Sequence, residues 1–195
     1  MDYSESYSLF DVYGNRKYLN TTERAKFFTS CQQVSIEESL YPLMVYYTGA
    51  RPSEVLNIQI RHLDFEEKVV TIKSLKKRGK IQFRQISLPK KYLDDLKLWI
   101  SNQNKNKDGK VWDFSYRTGY RRIKKLMALA KISDGPKASP KGLRHGFAIA
   151  CVLHDIPLPL VQKWMGHASI NTTAIYLNVI GKEERVFAKR LWGGD

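Results

Sequence analysis

Five residues in this chain have the types that metal-free phosphoryl chemistry needs. Arg51 lies in Thr48-Gly49-Ala50-Arg51-Pro52-Ser53-Glu54-Val55-Leu56, at the junction of two predicted helices. Arg144 lies in Pro140-Lys141-Gly142-Leu143-Arg144-His145-Gly146, and Lys141, three residues earlier, shares its helical face. Gly166-His167 closes a turn after an apolar helix, and Thr172-Thr173-Ala174-Ile175-Tyr176 follows, the tyrosine nine residues beyond His167. Cutting a phosphodiester requires a nucleophile for phosphorus, cationic donors for the non-bridging oxygens, and an acid for the leaving oxygen. Arginine suits the clamp because its planar fork holds two oxygens and keeps its proton. A tyrosine nucleophile leaves a phosphotyrosine that stores the bond energy for rejoining. Singly, each residue has a plainer reading: Arg51 an ion pair with Glu54, His167 a helix-terminal histidine, Tyr176 a half-buried aromatic.

Taken together, these segments resemble the tyrosine recombinase (phage integrase) family. Its first box reads roughly TGxRxxEx, here Thr48 to Glu54, and its second reads HxxRH, here Lys141-Gly142-Leu143-Arg144-His145. LGH and TTxxY follow, here Met165-Gly166-His167 and Thr172-Thr173-Ala174-Ile175-Tyr176. The likeness runs from about residue 21 to 180, and four boxes in order at matching separations carry it where one would not. It implies a site-specific DNA recombinase or integrase that cleaves and rejoins double-stranded DNA without a cofactor or metal. Tyr176 would form a 3′-phosphotyrosyl link and free a 5′-hydroxyl. Arg51 and Arg144 would clamp the scissile phosphate, and His167 would hydrogen-bond one of its oxygens. The family's catalytic lysine, the acid for the 5′-oxygen, lies on a basic hairpin; it is placed at Lys76, four residues after Ile72, with Lys77 as its rival. Glu54 would brace Arg51 or the second box. His145 follows Arg144 and so faces elsewhere on the helix; it is read as a hydrogen-bonding residue that orients the pocket. The departure is Lys141, where most relatives have histidine. It is expected to add positive charge to the pocket, with burial beside Arg144 lowering its pKa, and proton removal from Tyr176 is expected to need little help.

The charge balance agrees with an anionic partner. Thirty-three Lys and Arg against nineteen Asp and Glu give a formal +14, which favours nucleic acid over an anionic membrane or an acidic substrate. Lys73, Lys76, Lys77, Arg78, Lys80 and Arg84 form a basic finger expected to track phosphates. Arg121 and Arg122, with Arg117, Lys124 and Lys125, form a basic helix expected to meet the DNA backbone, although a charge run is often no more than a solvated face. Cys31 and Cys151 read as small core residues in a reducing compartment. His62, His145, His154 and His167 show no metal-ligand spacing, and no apolar run approaches a membrane span. The expected setting is the cytoplasm, on DNA.

The elements that must position these groups form an α+β domain, mostly helical with one small antiparallel sheet. Helices are predicted over 21–33, 36–48, from Pro52, and over 90–101, 115–131, 140–153, 158–165, 171–178 and 182–192. Asn20 and Glu23 form a capping box, and Pro52 suits a first turn. Val69–Ile72 and Ile81–Leu88 read as strands around the basic tip, and 57–64 as a third strand or a turn. Residues 9–19 allow a hairpin at Gly14-Asn15. The chain divides into a tail at 1–20, a catalytic domain at 21–180 and a terminal helix at 181–195. Trp164 is assigned to core packing. Val186, Phe187, Leu191 and Trp192 either pack at home or, as the resemblance implies, dock on a neighbouring protomer in an assembly (a tetramer on synapsed DNA). Relatives usually add an N-terminal clamp of about ninety residues, for which a catalytic core of this length leaves no room; without it, binding should be modest, salt-sensitive and weakly selective. Two other readings stay open: a relaxing enzyme like a type IB topoisomerase, and a DNA-binding module whose site has decayed.

Overall fold

The computed structural model describes residues 8–74, 81–103, 105–132, 135–178, 182–191 and 193, apart from the side chains of 182, 183, 186 and 190. Helix α1 (Thr21–Gln32) starts at Asn20, whose side chain accepts from the Glu23 N–H at 2.8 Å while Glu23 Oε2 accepts from the Asn20 N–H at 3.0 Å. This reciprocal box satisfies two otherwise orphaned donors. Helix α2 (Ile36–Thr48) begins at the Ser35 cap and stops at Gly49, whose φ of 59° is left-handed. Helix α3 (Pro52–Leu56) begins on its proline, where the missing N–H costs nothing.

A three-stranded antiparallel sheet follows, β1 (Leu63–Asp64), β2 (Val69–Ser74) and β3 (Gln82–Ser87), in that spatial order. The register pairs Val70 with Ile86 and Ile72 with Arg84. Period two therefore puts Val70, Ile72, Ser74, Arg84 and Ile86 on the buried face, and Lys73 and Phe83 outside. Residues 57–64 resolve into both expected forms, a 3₁₀ turn at Ile60–His62 and then the short β1.

Helices α4 (Lys90–Ser101), α5 (Tyr116–Leu129), α6 (Pro140–Leu153) and α7 (Leu158–Met165) follow. The helix expected over 171–178 is a short α8 (Asn171–Ala174) that tightens into a 3₁₀ turn at Ile175–Leu177. Helix α9 spans Lys182–Leu191. At the N-terminal end a Phe10–Arg16 bridge closes the hairpin, with Gly14 at φ 75°.

Two apolar clusters hold these elements. The larger joins α1, α2, α4 and α5 to the sheet through Phe27, Tyr41, Ile72, Leu96 and Trp112. The second gathers Leu9, Tyr18, Phe147, Val161, Met165 and Tyr176, with Phe187 of α9 packed against it. Helix α6 belongs to both, giving Leu143 to the first and Phe147 to the second. Phe187 thus packs at home, while Leu191 is 82% exposed; Trp192 and the Val186 side chain lie outside the described residues. Trp164 packs against both clusters, and Cys31 and Cys151 are buried, their thiols pushed up by burial to about 12 and about 11.

Gly49 is where the first box meets α6. A Cβ there would lie 2.2 Å from the Phe147 ring, on a backbone already left-handed. Gly49→Ala is expected to lose about 2–4 kcal/mol, the sum of left-handed strain and overpacking. The urea midpoint reads it directly; an unchanged midpoint would show that the ring gives way freely.

Candidate active site

A cavity of about 770 Å³ opens at the N-terminal end of α6 and is lined, among others, by Arg51, Lys141, Arg144, His145, His167 and Tyr176. No carboxylate lines it among the described residues. Five separate segments supply these side chains and their supports: the α2–α3 junction, the β2–β3 pair, α6, the turn after α7, and the stretch after α8.

Arg144 is buried and is held at both ends. Nη1 donates to Gly49 O and Nη2 to Met165 O, each at 2.6 Å. Those carbonyls end α2 and α7, where helices carry partial negative charge, so two helix ends offset one buried cation. Burial, then the nearby Arg51, lowers Arg144 to about 10, which leaves it charged at neutral pH. Gly166 makes the α7 end possible: its left-handed φ of 63° turns the chain so that the His167 N–H donates back to Gln162 O at 3.1 Å.

Arg51 is half-exposed and points one nitrogen at Glu54 Oε1, 3.1 Å away. Glu54 is 1% exposed. Its other oxygen accepts from the Arg51 backbone N–H at 3.0 Å and from Arg84 Nη2 at 2.6 Å. Burial alone would raise the Glu54 carboxyl; the hydrogen bond and charge of Arg84, then those of Arg51, outweigh it and hold the carboxyl below its usual range.

Arg84 corrects the reading of a phosphate-tracking finger. It is 4% exposed, and besides Glu54 it donates to Ser74 Oγ at 2.7 Å and to Trp164 O at 2.7 Å. One guanidinium therefore ties the first box, the base of the β2–β3 hairpin and the end of α7. Its parity on β3, shared with buried Ile86, was the signal in the sequence. Lys73 is exposed as expected. Lys76, Lys77, Arg78 and Lys80 lie outside the described residues. Arg121 is exposed, but Arg122 is half-buried against Phe114 and donates to Glu37 O at 2.8 Å, so much of its donor capacity is already used.

His145, expected to orient the pocket by hydrogen bonding, lines the cavity itself, and its Nδ1 stands 2.9 Å from the Tyr176 hydroxyl. Tyr176 is 1% exposed, and burial pushes its hydroxyl up to about 12 against the opposing pull of Arg144 and Arg51. The ring of His167 stacks on Tyr176 at 6.2 Å and 14°, and its Nδ1 is 3.0 Å from Thr173 Oγ1. Burial first, then neighbouring cations, lowers His145 and His167 each to about 3, so both are neutral at pH 7. Lys141 is exposed at the cavity, so the burial expected of it is absent. Sequence reasoning marked Thr173 only as part of the box before Tyr176, and it missed Ser74 and the exposed pair Tyr116 and Tyr120, one turn apart on α5 and lining the cavity. Among the described residues no His, Cys, Asp and Glu cluster could hold a metal, and no helix is long and apolar enough to cross a membrane.

Fold and site together define a class: an α+β domain in which a buried tyrosine hydroxyl shares a cationic cavity suited to an oxyanion. The Phage integrase family model matches residues 17–183, and the chain belongs to that family. It is 30% identical over 186 residues to the tyrosine recombinase XerA of Pyrococcus furiosus, covering 89% of this chain and 61% of that protein. It is 27% identical over 167 residues to the XerA of Saccharolobus solfataricus, covering 84% and 53%. A crystal structure of XerA recombinase superposes with a TM-score of 0.76 at 22% identity, over 89% of this chain and 64% of that one. The catalytic domain of bacteriophage HP1 integrase does so at 0.62 and 16%, over 88% and 93%. These structural likenesses show the fold. The chain spans about half to two thirds of the length of the curated XerA relatives.

Two stability measurements test this account. Arg84→Met leaves the Glu54 carboxylate buried without its closest partner and should cost about 3–5 kcal/mol, with Arg84→Met/Glu54→Gln recovering part of the loss. If Arg84→Met unfolds at the wild-type urea concentration, the clasp contributes nothing. The histidines fix a pH dependence. Their folded values lie near 3 against an ordinary 6.5, so between those values the unfolded chain binds protons that the native chain refuses. Stability is full above about 6.5 and falls as pH drops toward 3. Urea midpoints at pH 7 and 4.5 should therefore differ more for wild type than for His167→Asn.

Proposed function

We propose that this chain is the catalytic part of a site-specific DNA recombinase that cleaves and rejoins double-stranded DNA through Tyr176. The observation that carries the reading is one cavity holding the Tyr176 hydroxyl together with Arg51, Arg144, Lys141 and His167. Arg51 and Arg144 clamp the scissile phosphate, and their charge is present before the anion arrives, so little reorganisation accompanies the reaction. His167, neutral and held by Thr173, hydrogen-bonds a phosphate oxygen. Lys141 adds charge from the rim. Lys76, or Lys77 beside it, protonates the 5′-oxygen. The names of similar proteins support this reading: several are called tyrosine recombinases, and one neighbour of 0.73 TM-score and 24% identity is a XerH recombinase bound to palindromic difH in a post-cleavage complex. The formal charge of +14 agrees with binding that weakens as salt rises. Assembly on synapsed DNA, with the exposed Leu191 end of α9 available to a neighbour, completes the proposal.

Covalent trapping tests it. The protein is incubated with nicked suicide substrates drawn from pooled genomic and Holliday-type DNA, without divalent metal, and resolved in SDS. A protein–DNA adduct is expected from wild type and none from Tyr176→Phe. Arg144→Ala should slow its formation by about a hundredfold or more, as removal of an oxyanion donor does. Lys141→Ala should slow it about tenfold, or 1.4 kcal/mol, and a wild-type rate there would remove Lys141 from the site. DNA binding with no adduct on any substrate would favour a binding module over an enzyme.

A further inference from the structure

The second box ordinarily brings a histidine where this chain has Lys141, and Lys141 is exposed at the rim. The side chain that reaches the nucleophile is His145, four residues further along α6 and one turn deeper. Its Nδ1 lies 2.9 Å from the Tyr176 hydroxyl oxygen, with the two rings tilted by 53°. Among the described residues no other hydrogen bond to that hydroxyl is found; in the tautomer that carries its hydrogen on Nε2, Nδ1 accepts the phenolic proton. Nε2 is buried and has no partner among the described residues. Among the described residues the ring has no second hydrogen bond to brace it, as an orienting histidine normally has. Its one described hydrogen bond is to the reacting oxygen.

His167 does not fill the same role. It lies nearly parallel to the Tyr176 ring and so presents its face, and its Nδ1 is engaged with Thr173. We propose that His145 is the proton acceptor for Tyr176: as the tyrosine oxygen bonds to phosphorus, the phenolic proton passes to His145 Nδ1. This rests on the recombinase reading above. The O–P bond forms as the P–O5′ bond breaks. The phenolic proton ends on His145, the departing 5′-oxygen takes a proton from the acid of that reading, and rejoining reverses both transfers. The groups facing His145 are Lys141 and Arg144 of its own helix, Lys17 of the N-terminal hairpin, Tyr176, and His167 after α7. Burial and the cations keep the ring unprotonated at rest, so Nδ1 is open to accept at any neutral pH. An arriving phosphate offsets those cations, although not the burial that is the larger cause, so the imidazolium is better tolerated with substrate in place.

The test is single-turnover adduct formation on the suicide substrate, read from pH 5.5 to 9. Wild type should give a flat profile. A wild-type rate that climbs tenfold per pH unit would mean that hydroxide removes the proton, and the proposal falls without any variant being made. His145→Asn keeps an acceptor oxygen near the Nδ1 position but cannot take up a proton. It should lose at least about a hundredfold at pH 7, regain rate as pH rises, and bind DNA within about twofold of wild type. His145→Asn cleaving at the wild-type rate with a flat profile would overturn the proposal while leaving the recombinase reading intact. Absence of any Tyr176-dependent adduct from wild type would overturn both.

Discussion

Glu54 is the counter-charge on which the cationic site depends. Arg51, Arg84 and Arg144 come from three different segments and act on the same small region, each visible in the electrostatics of its neighbours. Arg84 and Arg144 are buried while Arg51 is half-exposed, and an uncompensated buried charge costs several kcal/mol. One carboxylate, 1% exposed, receives two of them and a backbone N–H as well. The third, Arg144, is offset by carbonyl dipoles at the ends of α2 and α7. Arg84 is not part of the cavity lining, which leaves Arg51 and Arg144, with Lys141 at the rim, as the cations offered to a ligand.

This arrangement explains why the remaining groups are neutral. Burial first keeps both histidines unprotonated, helped at His167 by Arg144, Arg51 and Arg84 and at His145 by Lys141, Arg144 and Lys17, while burial keeps the tyrosine a phenol. The cavity is therefore net positive, and Tyr176 within it is held as a phenol. An anion that enters lowers the potential felt by His145, His167 and Tyr176 together. On the reading proposed above, charge stabilisation and proton transfer would thereby be coupled to occupancy.

Much of the fold was legible in the sequence because its signals are local. The capping box at Asn20 and Glu23, the proline opening α3, and the amphipathic repeat of α4 each follow from contacts within a few residues. The division of 171–178 into α8 and a 3₁₀ turn was not legible, since both windings serve an apolar stripe. The site residues Arg51, Arg144, His167 and Tyr176 were marked by motif, and the structure brings them to one cavity. Arg84 was misplaced, and the partner of His145 was not foreseen, for different reasons. Arg84 sat in a run of basic residues, and composition masked its inward parity beside Ile86. His145 was assigned by a helical angle relative to Arg144, but that angle says nothing of which element arrives on the other side. Here Tyr176 arrives there, from 31 residues downstream. The exposure of Lys141 is likewise a tertiary fact, fixed by how the start of α6 meets the cavity.

The site also sets the limits of substitution in the framework. Gly49 and Gly166 are left-handed because two helices must end where their carbonyls can meet Arg144. Each is closely packed, against Phe147 in one case and against Arg84 and Ser74 in the other. Phe147 in turn belongs to the cluster that encloses Tyr176 and receives Phe187 of α9. A change in that apolar cluster would therefore be felt at Arg144 through Gly49, and at Tyr176 through direct packing. Preorganisation here is a property of the packing around the charges as much as of the charges themselves, because a close-packed interior resists small displacements instead of absorbing them.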